Sequence, residues 1–157
     1  MVKAVLLDVD GTLMDTNYLH VEAWARAFEE VGARPPRSRI HHEVGKGSDK
    51  LIPKFVEDEQ KAERVGELHS EYYGELQERG HPLPGAKELI ASLAERGYGV
   101  WLVTSAKPEE LEHHMQELGA EGKIAWVDSS DEAEESKPAP DIFGLALKRI
   151  RTGSRKG

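Results

Sequence analysis

The sequence has no cysteine, which excludes disulfides, thiolate metal sites and cysteine nucleophiles without naming a compartment. It also has no apolar run approaching the roughly 20 residues that a membrane-spanning helix requires. Asp8 cuts the apolar N-terminal stretch short before it could serve as a signal peptide. A cytoplasmic location, with no membrane partner, is therefore the expectation. Positive charge is scarce as well: 21 Lys and Arg stand against 29 Asp and Glu, a net charge of −8. Nucleic-acid affinity rests on clustered basic residues, so no nucleic-acid partner is expected, and any phosphate handled here is handled locally. What is present suffices for one ordinary globular domain, since 157 residues with 38% hydrophobic and 32% charged side chains lie outside the disordered class.

Val2 to Val9 (VKAVLLDV) is a nearly continuous apolar run without clean alternation, the pattern of a strand buried on both faces. A turn at Asp10-Gly11 ends it. From Asn17 to Val31, Leu19, Ala23, Ala27 and Val31 recur at helical spacing beside Trp24 and Phe28, which predicts an amphipathic helix stopped at Gly32. Pro35-Pro36, Gly45 and Gly47 punctuate the next stretch, and helices are predicted over Asp49 to Phe55 and Gln60 to Gln77. After His81-Pro82-Leu83-Pro84-Gly85 the rhythm changes. A helix over Ala86 to Arg96 precedes the apolar run Val100 to Val103, a second buried strand. A helix over Pro108 to Leu118, with Leu111, Met115 and Leu118 on one stripe, precedes a weaker strand over Lys123 to Val127. Strand and helix alternate as in a parallel α/β sheet, so the helical block reads as an insertion after the first strand. Asp128 to Glu135 (DSSDEAEE) reads as a solvated acidic loop.

The most informative segment is Asp8-Val9-Asp10-Gly11-Thr12-Leu13. Two carboxylates at the C-terminal end of a buried parallel strand stand where open α/β sheets place ligands, and their repulsion needs a cation or a proton to offset it. The plain alternative is a turn that only reverses the chain. Val103-Thr104-Ser105 closes the second strand, and its hydroxyls and N–H groups could hold an anion or cap the following helix. Lys137 offers one ammonium in acidic surroundings, although a lone lysine usually faces solvent. Gly45-Lys46-Gly47-Ser48 fails the Walker A pattern, because Gly47 separates the lysine from the serine and Ile40 stands where the earlier glycine belongs. The pairs His41-His42 and His113-His114 lack the i, i+4 spacing of helical zinc ligands and read as surface histidines. Trp101 and Trp126 read as core.

In this order the three segments resemble the haloacid dehalogenase superfamily of phosphotransferases, with DVDGTL as the first motif, the strand ending in Thr104 as the second, and Lys137 in SKPAPDIF as the third. The helical insertion resembles the small helical cap of the phosphoglycolate phosphatase and β-phosphoglucomutase group. The resemblance runs to about Ile150. It implies an α/β fold with a Rossmann-like parallel core at 1–15 and 80–157 and a helical cap at 16–79. It further implies that Asp8 is the nucleophile, that Asp10 is the general acid and base, and that Mg²⁺ is held by the Asp8 carboxylate and the Asp10 backbone carbonyl. Thr104, Ser105 and Lys137 would bind the phosphoryl oxygens. Gly45 to Lys50 resembles the substrate-facing cap loop, with Gly47, Ser48 and Lys50 as its contacts; its plain alternative is a helix-initiating turn capped by Ser48. The activity implied is hydrolysis of a small phosphorylated metabolite through an aspartyl phosphate. A phosphomutase of the same group is the alternative.

One family feature does not occur among these residues. The fourth motif, an acidic pair or GDxxxD after a fourth strand, supplies a further Mg²⁺ carboxylate, and the residues after Ile150 are too few and too polar to form it. The expectation is a C-terminally truncated or frameshifted member, or one needing a partner to complete its sheet, whose bare first strand invites self-association. Weak Mg²⁺ binding and little phosphatase activity are expected of it, down to a non-catalytic remnant or binding module.

Overall fold

Strand β4 (Gly99–Thr104) is the middle of a three-stranded parallel sheet, flanked by β1 (Ala4–Leu7) and β5 (Ile124–Ser129) in the order β1-β4-β5. The computed structural model describes residues 4–129, 137 and 140–152. Leu7 lies opposite Leu102, and Val103 opposite Asp128. The runs lacked alternation because both faces of β4 are covered. Leu102 packs with Val9, Ile90 and Leu118, whereas Trp101 and Val103 pack with Ile142 and Ala146. A register shift between Val100 and Trp101 lets β5 skip Ala125, so Trp126 stacks on Trp101 with ring centres 5.6 Å apart. The parallel α/β fold implied by the sequence is the one observed. Among the described residues β1 is an outer strand, and its four residues are only half-buried where β4 is buried.

The chain forms two compact units, one from the segments up to Asp15 and from His81 onward, the other Thr16–Gly80. In the first, β2 (Met14–Asp15) pairs antiparallel with β3 (His81–Pro82), a two-residue ladder extended by Leu83 N–H donating to Leu13 O at 2.8 Å. No hydrophobic pattern announces so short a ladder. In the second unit, α1 (Asn17–Glu30) and α4 (Glu59–Leu76) carry most of the interior, with α2 (Arg37–Glu43) and α3 (Ser48–Leu51) between them in sequence. The apolar stripe predicted for α1 is buried at Leu19, Ala23, Trp24, Ala27 and Phe28, while Val31 falls just past the helix end and is half-buried. Helix α2 was not expected. Pro36 occupies its N-cap, where a missing N–H costs nothing, so the prolines start a helix and do not interrupt one. The helix expected over Asp49 to Phe55 is one α-turn followed by a 3₁₀ turn at Ile52–Lys54.

Two histidines lie inside the second unit. His20 stacks on Tyr73 at 3.9 Å and His69 on Trp24 at 3.7 Å, while His20 Nδ1 and His69 Nε2 are 3.2 Å apart. Imidazole can be buried here because its rings meet aromatic faces and its nitrogens meet each other.

The α/β unit is completed by α5 (Ala86–Glu95), α6 (Pro108–Leu118) and α7 (Asp141–Thr152). Asp128 corrects the sequence reading. It belongs to β5, fully buried, and its Oδ1 accepts from the Arg149 guanidinium of α7 and from the Trp126 indole N–H at 3.2 Å. Those donors offset the cost of burying the carboxylate. The rest of the expected acidic loop, at 130–135, lies outside the described residues.

Candidate active site

Strand β1 ends at Leu7, so Asp8 emerges at the C-terminal end of the sheet, and the same register brings Thr104 to that end of β4. The chain then closes a tight turn in which Leu13 and Met14 N–H groups both donate to Val9 O, at 2.8 and 3.0 Å. Gly11 has φ +69° in this turn, a conformation that side chains with a Cβ resist. The turn accounts for both Asp8 and Asp10 serving one end of the sheet although strand alternation would separate them.

Lys137 is the residue that organises the site. Its Nζ donates to Asp8 Oδ1 at 2.7 Å and to Val103 O at 3.1 Å, joining positions 129 residues apart in sequence. Its side chain is nearly buried, so the plain solvent-facing reading of a lone lysine is set aside. A buried ammonium needs such partners. Asp8 Oδ1 also accepts from Val9 N–H at 2.9 Å. Both bonds fall on Oδ1, and Oδ2 has no hydrogen-bond partner among the described residues.

Thr104 is fully buried, and its Oγ1 accepts from Ala106 N–H at 3.0 Å. Helix α6 begins four residues later, and Glu110, not Thr104, caps it by accepting from Lys107 N–H at 3.3 Å. Thr104 therefore shapes the strand-to-helix turn, and its hydroxyl retains a hydrogen to donate. The neighbouring Ser105 Oγ is buried and has no hydrogen-bond partner among the described residues. Its hydroxyl can donate to an oxygen ligand.

Gly47, Ser48 and Lys50 belong to the other unit. Gly47 is the N-cap of α3, and Lys50 and Leu51 N–H groups donate to its carbonyl at 2.9 and 3.0 Å. Ser48 is the first helical residue and caps nothing, which corrects the plain reading of this loop. Ser48 and Lys50 are exposed. In the same loop Lys46 donates to Glu43 at 2.7 Å, which holds the Glu43 carboxyl below the usual carboxylate range.

The sequence reading missed one residue at the Asp8 end of the sheet. His114 was expected on the surface, yet it is fully buried and its Nε2 lies 3.5 Å from Asp10 Oδ1. A signal existed, because 114 falls between Leu111 and Leu118 on the apolar stripe of α6. Among the described residues no three His, Asp or Glu side chains gather as a metal centre. The donors near Asp8 are nonetheless hard oxygens, and Mg²⁺ binds through one or two carboxylates while keeping several waters, so the residues fit this ion in kind.

The chain matches the haloacid dehalogenase-like hydrolase family over residues 2–155. It is 32% identical to the plasmid-borne protein CbbY of Cupriavidus necator, a match covering 94% of this chain and 66% of that one. With the phosphoglycolate phosphatase of Nitrosococcus oceani the identity is 30%, over 94% of this chain and 72% of the relative. The crystal structure of a hydrolase from Pseudomonas syringae is similar at a TM-score of 0.87 and 27% identity, covering 95% of this chain and 70% of that one. The chain thus spans 66–72% of the length of these relatives.

Proposed function

Because the chain belongs to the haloacid dehalogenase-like hydrolase family, we propose that it is a phosphatase of small phosphorylated metabolites in which Asp8 is the nucleophile. The observation that carries the reading is the Lys137–Asp8 contact at 2.7 Å. It sets a fixed positive charge beside a carboxylate at the ligand-binding end of a parallel sheet.

Asp8 attacks phosphorus through the oxygen that Lys137 and Val9 leave unengaged. As the new O–P bond forms, the bond to the leaving oxygen breaks, and protonated Asp10 delivers its proton to that oxygen. Asp10, now a carboxylate, takes a proton from water. The water oxygen bonds phosphorus, the Asp8 O–P bond breaks, and inorganic phosphate departs. Lys137 offsets charge on the phosphoryl oxygens throughout, and the Thr104 and Ser105 hydroxyls donate to them. The Asp8 carboxylate and the Asp10 backbone carbonyl would hold Mg²⁺, which would supply further charge neutralisation. Gly47, Ser48 and Lys50 select the substrate in this reading, with the lysine suited to an anionic group on the metabolite.

The test is hydrolysis of an aryl phosphate with Mg²⁺ by the wild type and Asp8→Asn, with enzyme in excess so that a single slow turnover is readable. Turnover by the wild type alone is expected. Equal, measurable rates in the two proteins would remove Asp8 from the mechanism.

A further inference from the structure

We propose that His114 is a positioning residue for Asp10, holding one carboxylate oxygen so that the other is aimed at the leaving group. The inference rests on the phosphatase reading above. Helix α6 turns Leu111, His114, Met115 and Leu118 toward the interior, where Leu118 joins Val9, Leu13 and Met14 in the core and Leu111 and Met115 pack against it. A leucine would fill position 114 at no polar cost. An imidazole with none of its surface exposed requires a polar partner, and the carboxylate 3.5 Å from its Nε2 belongs to Asp10.

The distance is long for a hydrogen bond and within reach of one, as is common for catalytic contacts that tighten only around substrate. Asp10 sits on a two-bond stem in the Val9–Met14 turn, so its backbone is fixed while its carboxylate can still rotate. A donor on Oδ1 removes that rotation. The α6 backbone carries His114 into the core under the turn, so the donor is itself held rigidly.

The role predicts a dependence on the leaving group. A phosphate ester of nitrophenol departs without help from an acid, whereas an alkyl phosphate needs the proton from Asp10. In single-turnover assays, His114→Leu, which fills the cavity without a donor, should slow alkyl phosphate cleavage by about 10- to 100-fold, the scale of a misplaced general acid. Nitrophenyl phosphate cleavage should be nearly unchanged. His114→Gln, whose amide can still donate, should recover most of the alkyl rate. Independently of turnover, the His114 imidazole ¹⁵N resonances should move in Asp10→Asn and stay in place in Lys50→Ala.

Equal losses on both substrates would reduce His114 to a packing residue and overturn the inference alone, as would resonances indifferent to Asp10→Asn. If Asp10→Asn itself leaves alkyl phosphate cleavage intact, Asp10 is not the acid and this inference falls while the phosphatase reading stands; if the wild type cleaves neither ester, the phosphatase reading falls and this inference falls with it.

Discussion

The dipeptide His-His occurs at 41–42 on α2 and at 113–114 on α6, and the two copies meet opposite surroundings. His41 and His42 are both exposed, His41 stacked against Tyr18 at 4.9 Å on the surface of the helical unit. His113 is half-buried and His114 fully buried against Asp10 in the α/β unit. Composition and spacing within each pair are identical. Adjacent helical positions lie about 100° apart, so only one member of a pair can face a core directly, and which one does depends on the stripe of the whole helix. Helix α6 has a long stripe that passes through 114. Helix α2 is seven residues long and buries only Ile40. A histidine is thus read from the helix it rides on and not from its neighbour.

The same contrast extends to the two units. The α/β unit gathers Asp8, Asp10, Lys137 and His114 at one end of its sheet. The helical unit places most of its described ion pairs outside, as in Arg26–Glu75 at 2.9 Å, and fills its interior with aromatic and imidazole rings. Variants should therefore separate chemistry from packing. Asp8→Asn should lower turnover by at least ~10³-fold, about 4 kcal/mol at the barrier, with only a small shift in melting, because the amide oxygen can still accept from Lys137. Tyr73→Ala should do the converse. It deletes a fully buried ring under His20, and chemical denaturation followed by circular dichroism should show a loss of about 3–5 kcal/mol. A large loss of stability in the first variant, or none in the second, would blur the division.

A smaller effect is expected from the α3 loop. Ser48→Ala combined with Lys50→Ala should reorder preference across a panel of sugar and short-acid phosphates while the rate on an aryl phosphate holds. An unchanged order would send specificity elsewhere in the helical unit. Smallest of all, His41→Ala with His42→Ala should change stability by about 0.5 kcal/mol or less, as exposed substitutions do. A loss comparable to that of Tyr73→Ala would mean that the two histidine pairs are not opposites after all.

Much of the architecture was legible. The stripes of α1 and α6, the helices α4 and α5 and the unbroken apolar runs of β1 and β4 follow from local patterns that survive any tertiary arrangement, since an apolar stripe must be buried against something. Helix α2 and the β2–β3 ladder were not legible, being too short for a period to accumulate. Asp128 was misread because an aspartate followed by acids resembles a solvated loop. The Arg149 that neutralises it comes from a helix 21 residues further on.

By itself the sequence determined the alternation of strand and helix, the insertion after the first strand, and the types of side chain available for phosphoryl chemistry, because these depend on local pattern and composition. Only the tertiary structure decided which of those side chains meet. Lys137 reaches Asp8 across 129 residues because parallel pairing of β1 with β4 sets their C-terminal ends side by side. His114 reaches Asp10 because α6 packs its stripe under the turn that follows β1. Contact between distant residues is fixed by strand register and helix packing, which are properties of the assembled chain and of no single segment.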